Sequence, residues 1–180
     1  MVTKLEYENI CVRVLGMLDA HGIVLNDGER GNIEVADFGL GEVERTGLQI
    51  VTYINTARVC AKELVMLPGQ TCPEHLHPTL GEVLGKEETF RCRAGEVYIY
   101  VPGDKTVNPV CVPPDAPVGA YTAWHEIKLL PGEQYTLMPD TLHWFQAGAQ
   151  GAIVSEFSTR STDDADVFTD TRIVRAPVIM

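Results

Sequence analysis

Basic residues are scarce in this sequence. Its 14 Lys and Arg residues stand against 25 Asp and Glu residues, which gives a formal net charge of −11. A chain this acidic is repelled by the phosphates of nucleic acids and by anionic lipids. It also disfavours highly anionic substrates unless Lys or Arg side chains are gathered locally. We therefore expect no nucleic-acid partner and no membrane partner, and a neutral polar ligand is favoured.

Long hydrophobic runs are also missing. No apolar stretch approaches the roughly 20 residues that a membrane-spanning helix needs, and the first ten residues lack the apolar core of a signal peptide. These absences predict a cytoplasmic protein. The chain has 180 residues, of which 45% are hydrophobic. This length suits one domain with a substantial core, so we expect residues 1–180 to form a single domain.

No C-x-x-C pair occurs among the five cysteines, which are odd in number and scattered. This spacing indicates neither a disulfide framework nor a zinc ribbon. The prediction is a set of reduced structural thiols. Cys72, three residues before His75, is a candidate for an additional metal ligand. The five cysteines are Cys11, Cys60, Cys72, Cys92 and Cys111.

The N-terminal segment, residues 1–22, carries a helix signal. Thr3 and Glu6 fit a capping box, apolar residues follow at helical spacing, and Gly22 stands where a helix would stop. We expect a helix over about residues 4–20. His21 lies at its C-terminal end, where a cation complements the helix dipole, so its predicted role is capping.

From residue 45 onward the pattern is β. Short runs with β-branched and aromatic residues are punctuated by Gly, Pro, Asn and Asp, which is typical of a barrel or sandwich. Residues 102–119 contain five of the eleven prolines and predict a long ordered connection. The acidic residues 162–170 predict a solvated turn or short helix, because the glycine and terminal Glu of an EF-hand are missing. Residues 173–175 and 178–179 are candidates for a final strand or for covering a neighbouring subunit. The predicted strands are residues 48–54, 60–67, 96–101, 124–130, 134–138 and 152–158.

Two histidines stand one residue apart at His75 and His77. In a strand they point to the same face, where two imidazoles can hold one metal ion. A third, His143, lies far downstream. Three histidines and one carboxylate, with open positions left for substrate, suit Mn, Fe, Zn, Co or Ni. The carboxylates in range are Glu82, Glu87 and Glu88.

A turn signal at Pro68 and Gly69 predicts which residues meet the metal. These two residues occupy the central positions of a type II turn. A simple hairpin there places Lys62 opposite His75, and directly opposed residues share a face of the sheet. The alternative for Lys62 is a solvent-facing strand position, the commoner environment of a lysine.

A second turn signal occupies residues 148–151. A hairpin there places His143 opposite Glu156, which stands in a mostly apolar run. A carboxylate buried in such a strand needs a partner or a function. The alternative is a Glu at a strand edge that reaches water. His125 fits a core or strand-end position as well as a substrate contact, and we do not predict it as a metal ligand.

These motifs resemble those of the cupin superfamily. Gly69, five further residues and His75-Leu76-His77 match the first half of its first motif, and Glu88, six residues and Gly95 match the second half. The gap between the two halves is longer than usual. Residues 139–143 (P-D-T-L-H) match the second motif. The resemblance implies a mainly β fold: a cupin-type β-barrel, or jelly roll, with the metal inside and an N-terminal α-helix outside the motifs.

Longer segments narrow the resemblance. Residues 85–103, 131–148 and 154–170 are similar to the D-lyxose isomerases, which are cupin-type ketol-isomerases, and the similarity covers roughly residues 45–172. It implies a homodimer that interconverts D-lyxose and D-xylulose, and D-mannose and D-fructose, through an enediolate. The metal is typically manganese in that family. The implied ligands are His75, His77, Glu88 and His143, and the implied active-site Lys and Glu are Lys62 and Glu156.

On this hypothesis Glu156 takes the proton from C2 of the sugar and returns it to C1. Lys62 exchanges a proton at a sugar oxygen or stabilises developing charge. Candidates to line the sugar pocket are Trp144, Phe145, Tyr98, Arg91 and Arg160. The alternatives are an iron-dependent cupin dioxygenase with a similar ligand set, a non-catalytic sugar-binding cupin, and a phosphosugar isomerase, which would need Arg or Lys side chains converging on the pocket.

Overall fold

The structure is a computed structural model and describes residues 2–175. It begins with one long helix, α1 (Lys4–Ala20). The predicted capping box is confirmed: Glu6 N donates to Thr3 Oγ1 at 3.2 Å, and Thr3 N donates to Glu6 Oε2 at 2.9 Å. His21 is the C-cap residue, as the sequence predicts. A buried stripe of Ile10, Val14 and Leu18 packs the helix onto the sheet.

The rest of the described chain is mainly β. A short helix, α2 (Asp27–Arg30), precedes the sheet, and a 3-10 helix (Asp163–Ala165) lies near its end. The strands are β1 (Glu34–Ala36), β2 (Leu48–Asn55), β3 (Cys60–Met66), β4 (Thr71–Leu76), β5 (Glu88–Val101), β6 (His125–Leu129), β7 (Gln134–Leu137), β8 (His143–Ser158) and β9 (Val167–Phe168).

The strands form one antiparallel sheet built around β8. Its order is β1-β2-β3-β8-β4-β9, and β5 pairs with β8, β6 and β7. One face encloses an apolar cluster that includes Phe90, Phe145 and Val154, and the other face packs against α1 through Val51, Val65 and Ile153. The predicted fold class, a mainly β cupin-type barrel with an N-terminal helix, is confirmed.

All six predicted strands are present, but two of them are only parts of longer strands. Residues 96–101 are the end of β5, and residues 152–158 are the end of β8. β1 lies within residues 23–48, where the sequence predicts loops with brief strands, and β4 is the strand predicted to carry His75. β9, which has two residues, has no predicted counterpart. Residues 173–175 form no strand, and residues 178–179 lie outside the described part of the chain.

The hairpin predicted at Pro68 and Gly69 is wrong. A turn does form, since Gln70 N donates to Leu67 O at 3.0 Å. However, β3 and β4 do not pair with each other; they follow one another along the same side of β8. Gly69 N donates to Gly148 O at 3.1 Å, so the ladder continues through the turn. The turn is a local kink between two collinear strands.

The hairpin predicted at residues 148–151 is also wrong, because β8 continues through them without reversing. Lys62 is therefore the partner of Glu156, and His75 is the partner of His143. The sequence reasoning had exchanged these partners. Pairing between distant strands decided the register, and a local turn signal does not report it.

The proline-rich connection between β5 and β6 covers the outer face of the sheet. Trp144 stacks on Tyr100 with ring centroids 3.9 Å apart, and Trp144 Nε1 donates to Ala123 O at 2.7 Å. The prediction of a long connection between strands is confirmed. None of the helices found between residues 2 and 175 combines the length and the apolar character that crossing a membrane requires.

Candidate active site

Three histidines meet at one end of the barrel interior. His75 lies in β4, His77 follows that strand directly, and His143 opens β8 as the partner of His75. The ring centroids are 4.3 to 5.5 Å apart. One ligand-type atom from each residue lies within 4.8 Å of the others, so the group could hold a metal ion. The alternation of β4 and the long-range pairing with β8 together create this cluster.

Each imidazole is oriented by an acceptor behind it. The Nδ1 atoms lie 2.8 Å from Pro73 O for His75, 2.5 Å from Asp166 Oδ1 for His77, and 2.9 Å from Thr141 O for His143. Carbonyl and carboxylate oxygens only accept, so Nδ1 carries the hydrogen in all three rings. The Nε2 atoms are left to point inward, the arrangement that second-sphere acceptors impose on metal-binding histidines.

Glu88 closes the fourth side of the cluster. It is 1% exposed, and its Oε1 lies 3.2 Å from Nε2 of His77 and 3.1 Å from Nε2 of His143. Burial raises the pKa of this carboxyl, but Lys86 and His77 outweigh it and hold the pKa well below its usual value. Glu88 therefore stays a carboxylate, which is the form that binds metal.

The histidines differ in their ionisation. Burial and the two neighbouring imidazoles lower the pKa of His75 well below its usual value, so it is neutral. For His77 burial acts in the same direction, but Glu88 and Asp166 outweigh it and raise the pKa to about 9. The space between His77 and Glu88 thus favours a positive charge.

Lys86 is the buried cation that sequence reasoning missed. Its Nζ lies 2.8 Å from Glu88 Oε2, 3.2 Å from Glu156 Oε1 and 3.7 Å from Asp163 Oδ1. Burial lowers its pKa, but Glu156 and Glu88 outweigh that effect and raise the pKa well above the usual value. It therefore stays an ammonium group. The available signal was its position two residues before Glu88, which indicates the same face of an extended chain.

Glu156 and Lys62 face each other across β8 and β3. Glu156 is 3% exposed in a strand paired on both sides, so it is not a strand-edge residue reaching water. Lys62 is 4% exposed and not a solvent-facing lysine. Its Nζ donates to Ser161 Oγ at 2.8 Å and to Asp163 Oδ2 at 2.6 Å. Burial lowers the pKa of Lys62, but Glu156 and Asp163 outweigh that effect and raise it.

The acidic segment after β8 covers this cavity. The predicted short helix is present, at Asp163–Ala165, but three residues of the segment line the cavity and do not face solvent alone. Asp163 contacts two buried lysines, Asp166 supports His77, and Phe168 stacks on His75 with ring centroids 5.3 Å apart. The cavity and the solvent that adjoins it enclose about 400 Å³ of space.

Comparison with known proteins decides the family. A family model described as D-lyxose isomerase matches residues 26–180. A D-lyxose/D-mannose isomerase of Thermosediminibacter oceani is 58% identical over 179 residues, which are 99% of each chain. A D-lyxose ketol-isomerase of Thermofilum sp. is 54% identical over 180 residues, 100% of each chain. The chain belongs to the D-lyxose isomerase family.

Solved structures give the same fold for this D-lyxose isomerase family member. The Acinetobacter sp. DL28 L-ribose isomerase in complex with L-ribose has a TM-score of 0.75 at 15% identity, over 99% of this chain and 98% of that one. The ligand-free Cellulomonas parahominis L-ribose isomerase has a TM-score of 0.73 at 16% identity, with the same coverage. At this identity the likeness shows the fold alone.

Membership of the D-lyxose isomerase family makes this chain a sugar isomerase. That assignment favours the isomerase reading over the cupin dioxygenase and the non-catalytic sugar-binding cupin. It leaves the substrate and the metal to be proposed from the site itself.

The residues present fit a metal ion in this D-lyxose isomerase family member. His143 Nε2 is buried and has no hydrogen-bond partner among the described residues. In the neutral ring with its hydrogen on Nδ1, which is the form that binds metal, the Nε2 lone pair faces the Glu88 carboxylate 3.1 Å away. Two acceptors this close repel each other unless a cation lies between them. His75, His77, Glu88 and His143 would hold that ion.

Four of the five predicted sugar-lining residues lie elsewhere. Phe145 lines the cavity, but Trp144 and Tyr98 belong to the cluster on the outer face. Successive residues of a strand point to opposite faces, so Trp144 cannot share the side of His143 and Phe145. Arg91 is exposed and donates to Gln134, and Arg160 is exposed after the end of β8. Proximity in sequence to the motifs was a poor guide to the cavity wall.

Cys72 and His125, the other residues considered for the site, have structural roles. Cys72 is buried against the cavity wall, but the group that could hold a metal consists of the three histidines. All five cysteines are free thiols, as predicted. His125 is exposed at the start of β6, with Nδ1 3.1 Å from Asp104 O, so it is the strand-end histidine of the two alternatives.

Proposed function

We propose that this member of the D-lyxose isomerase family interconverts D-lyxose and D-xylulose, with D-mannose and D-fructose as a second pair. The printed names of the relatives, D-lyxose ketol-isomerase and D-lyxose/D-mannose isomerase, support the substrates. One structural observation carries the proposal. One cavity is lined by His75, His77 and Glu88 of the metal-ligand cluster and by a second carboxylate, Glu156, which Lys86 contacts at 3.2 Å. His143 lies behind Glu88, with its Nε2 3.1 Å from Glu88 Oε1.

The reaction moves a hydrogen between C1 and C2 of the sugar. A divalent ion bound by the four ligands would act as a Lewis acid on the carbonyl and the neighbouring hydroxyl oxygens. We propose manganese, and Zn²⁺, Co²⁺, Ni²⁺ and Fe²⁺ suit the same donor set. Because Glu88 faces two histidines and Lys86, it is not free to take a proton from carbon.

Glu156 is the proposed general base. It projects into the cavity from the central strand, and its contacts are to Lys86 Nζ at 3.2 Å and Ser158 Oγ at 3.0 Å. It takes the proton from C2 and delivers it to C1, so one carboxylate serves both halves of the transfer. The same carboxylate returns to its starting state at the end of each turnover.

Two ammonium groups flank this carboxylate. Lys86 lies between Glu156 and Glu88, so its charge is placed to stabilise negative charge that develops on the sugar oxygens. Lys62, which is hydrogen bonded to Ser161 and Asp163, is proposed to exchange a proton at a sugar oxygen or to stabilise charge from the side of Asp163. Removing either should lower turnover more than it weakens metal binding.

The alternative function closest in chemistry is a phosphosugar isomerase. Its anionic substrate would require Lys or Arg side chains that converge on the cavity. Three cations do reach the cavity, but each is already paired with carboxylates. Lys62 contacts Asp163, Lys86 contacts Glu88 and Glu156, and Arg175 contacts Glu34 at 2.5 Å. This balance supports an uncharged sugar over a phosphorylated one.

The proposed function is tested by metal removal and sugar assays. We expect chelator-treated protein to lose D-lyxose isomerisation, measured as D-xylulose formed, and manganese to restore it. D-Mannose should react and D-glucose, tested in parallel, serves as the comparison aldose. An oxygen electrode should record no consumption. Fully metal-loaded protein that leaves D-lyxose unchanged would contradict the proposal.

A further inference from the structure

The proposed active site is closed in this structure. Lys62, Lys86, Glu88, His143 and Glu156 are each 6% exposed or less. A sugar with a hydroxyl on nearly every carbon therefore cannot reach them unless part of the wall moves. The side chains that this cavity shares with a neighbouring one indicate which part that is.

A second, polar cavity lies on the other side of that wall, and we call it the vestibule. It measures about 820 Å³, adjoining solvent included. It shares three side chains with the inner cavity: Lys62, Asp163 and Arg175. These three side chains are thus the partition between the vestibule and the proposed site.

Asp163 holds the partition together. Its carboxylate contacts Lys62 Nζ at 2.6 Å, Lys86 Nζ at 3.7 Å and Arg175 Nη2 at 3.5 Å. It also accepts from the Ser161 hydroxyl. The residue belongs to the 3-10 helix between β8 and β9, outside the sheet ladders.

The backbone next to Asp163 is attached mainly by one side chain. Ser161 N donates to Asn55 Oδ1 at 3.2 Å, and Asn55 Nδ2 donates to Ser161 O at 3.0 Å. Moving this segment breaks side-chain contacts and leaves the ladders of the barrel intact. Because no ladder hydrogen bond is broken, we expect the segment to open more easily than the core strands, and the main cost is to separate the ion pairs of Asp163.

We propose that the vestibule is an outer docking subsite for a neutral polyhydroxylated ligand and that Asp163 is the gate between it and the inner cavity. The inference rests on the proposed function for the identity of the ligand. Each sugar hydroxyl both donates and accepts, which suits a wall that mixes donors and acceptors. Asn55, Lys62 and Arg175 supply donors, and Glu34, Asp163 and Asp164 supply acceptors.

Filling the vestibule tests the docking subsite. Thr52 is exposed on its wall and is the strand partner of Lys62. We expect Thr52→Trp to lower kcat/KM for D-lyxose at least tenfold, with manganese affinity and melting temperature unchanged. The matched control is Thr136→Trp, another exposed strand threonine, which is hydrogen bonded to Thr89 away from both cavities. It should stay within twofold of the unmodified chain.

A Thr52→Trp protein with unchanged kcat/KM would overturn the subsite.

A binding measurement distinguishes failure of the subsite from failure of the proposed function. D-Arabinitol, the alditol of D-lyxose, cannot be isomerised, and calorimetry measures its binding directly. A chain that binds D-arabinitol in a way that Thr52→Trp abolishes, yet does not isomerise D-lyxose, would retain the subsite and lose the function. Absence of D-arabinitol binding in the unmodified, catalytically active chain would also overturn the subsite.

The gate is tested with a thiol that lies behind it. Cys72 lines the inner cavity, whereas Cys92 is equally buried in the apolar cluster and does not line it. We expect Asp163→Asn to speed labelling of Cys72 by N-ethylmaleimide at least tenfold, followed by peptide mass spectrometry, with Cys92 unchanged. Equal acceleration of both thiols, or no acceleration of Cys72, would overturn the gate.

Discussion

At the scale of single residues, the site is defined by how the three histidines are oriented towards Glu88. Nδ1 of each of the three histidines lies against a fixed acceptor, which leaves Nε2 for a metal ion, and Nε2 of His77 and of His143 lies within 3.2 Å of the Glu88 carboxylate. Glu156 stands apart from this set, joined to it by Lys86. One carboxylate is therefore available to hold a metal and the other to move a proton.

Glu156→Gln separates these two roles. The amide keeps the size of the side chain but cannot act as a base, so kcat for D-lyxose should fall by about 10²–10⁴. Metal content, measured by mass spectrometry, should stay the same. The control is Glu63→Gln, a buried Glu on the opposite face of β3 that accepts from Ser155 Oγ at 2.7 Å. Near-normal turnover in Glu156→Gln would reject the assignment of the base.

A substitution at Asp166 tests metal binding separately from catalysis. It holds Nδ1 of His77 at 2.5 Å, and loss of such a partner typically weakens metal affinity by about 10–100-fold. We expect Asp166→Ala to show this loss in a chelator competition with manganese and to regain kcat when manganese is in excess. Asp166→Asn, which keeps an acceptor oxygen, should lose less. The exposed neighbour Asp164 provides the control Asp164→Ala, for which an equal loss of affinity would contradict the role of Asp166.

At the scale of elements, β8 does most of the assembly. It carries His143 at one end and Glu156 near the other, and it pairs with β3, β4 and β5. Its partners bring Lys62, His75 and Phe90 to the same inner face. The close approach of β5 to β8 requires a residue without a side chain at Gly95, where an added Cβ would lie 2.0 Å from Gly151 O.

Gly95→Ala should therefore destabilise the fold by more than about 3 kcal/mol, because steric conflict with backbone adds to the left-handed conformation. Gly69→Ala is the matched control. Both glycines have positive φ, +69° and +67°, but nothing lies within 4 Å of a Cβ at Gly69. Its cost should be about 1–2 kcal/mol. Urea unfolding measures both, and equal costs would show that the approach of β5 to β8 tolerates a methyl group.

At the scale of the whole molecule, charge sets the class of substrate. The chain carries a net charge of −11, and the cations in the described cavity are paired with carboxylates. A homodimer and a cytoplasmic location stay predictions, as does the organisation of residues 1–180 as a single domain. Sedimentation of the purified chain would measure the first.

Phosphorylated sugars should be poor substrates. A phosphate entering the cavity would meet Glu34, Glu156 and Asp163 without a free cation among the described wall residues. We expect kcat/KM for D-mannose 6-phosphate to be at least tenfold below that for D-mannose. Higher ionic strength should narrow the difference, because salt screens the repulsion. Equal rates at low salt would favour the phosphosugar isomerase.

The sequence by itself determined what local chemistry can determine. The capping box of Thr3 and Glu6 set the start of α1, and the His75-Leu76-His77 pattern put two imidazoles on one face. The four proposed ligands came from the spacing of the two cupin-type motifs, and the proposed base, Glu156, came from the family resemblance. The start of the helix and the pair of imidazoles were predictable because each depends on residues close together in the chain.

Only the tertiary structure decided which distant residues became partners. Two local turn signals predicted hairpins, but long-range pairing along β8 joined Lys62 to Glu156 and His75 to His143. It also brought Lys86, Asp163 and Asp166 to the site and turned Trp144 away from it. Strand register and side-chain burial are set by the whole sheet, because a shift of one residue would reverse every inward-facing side chain.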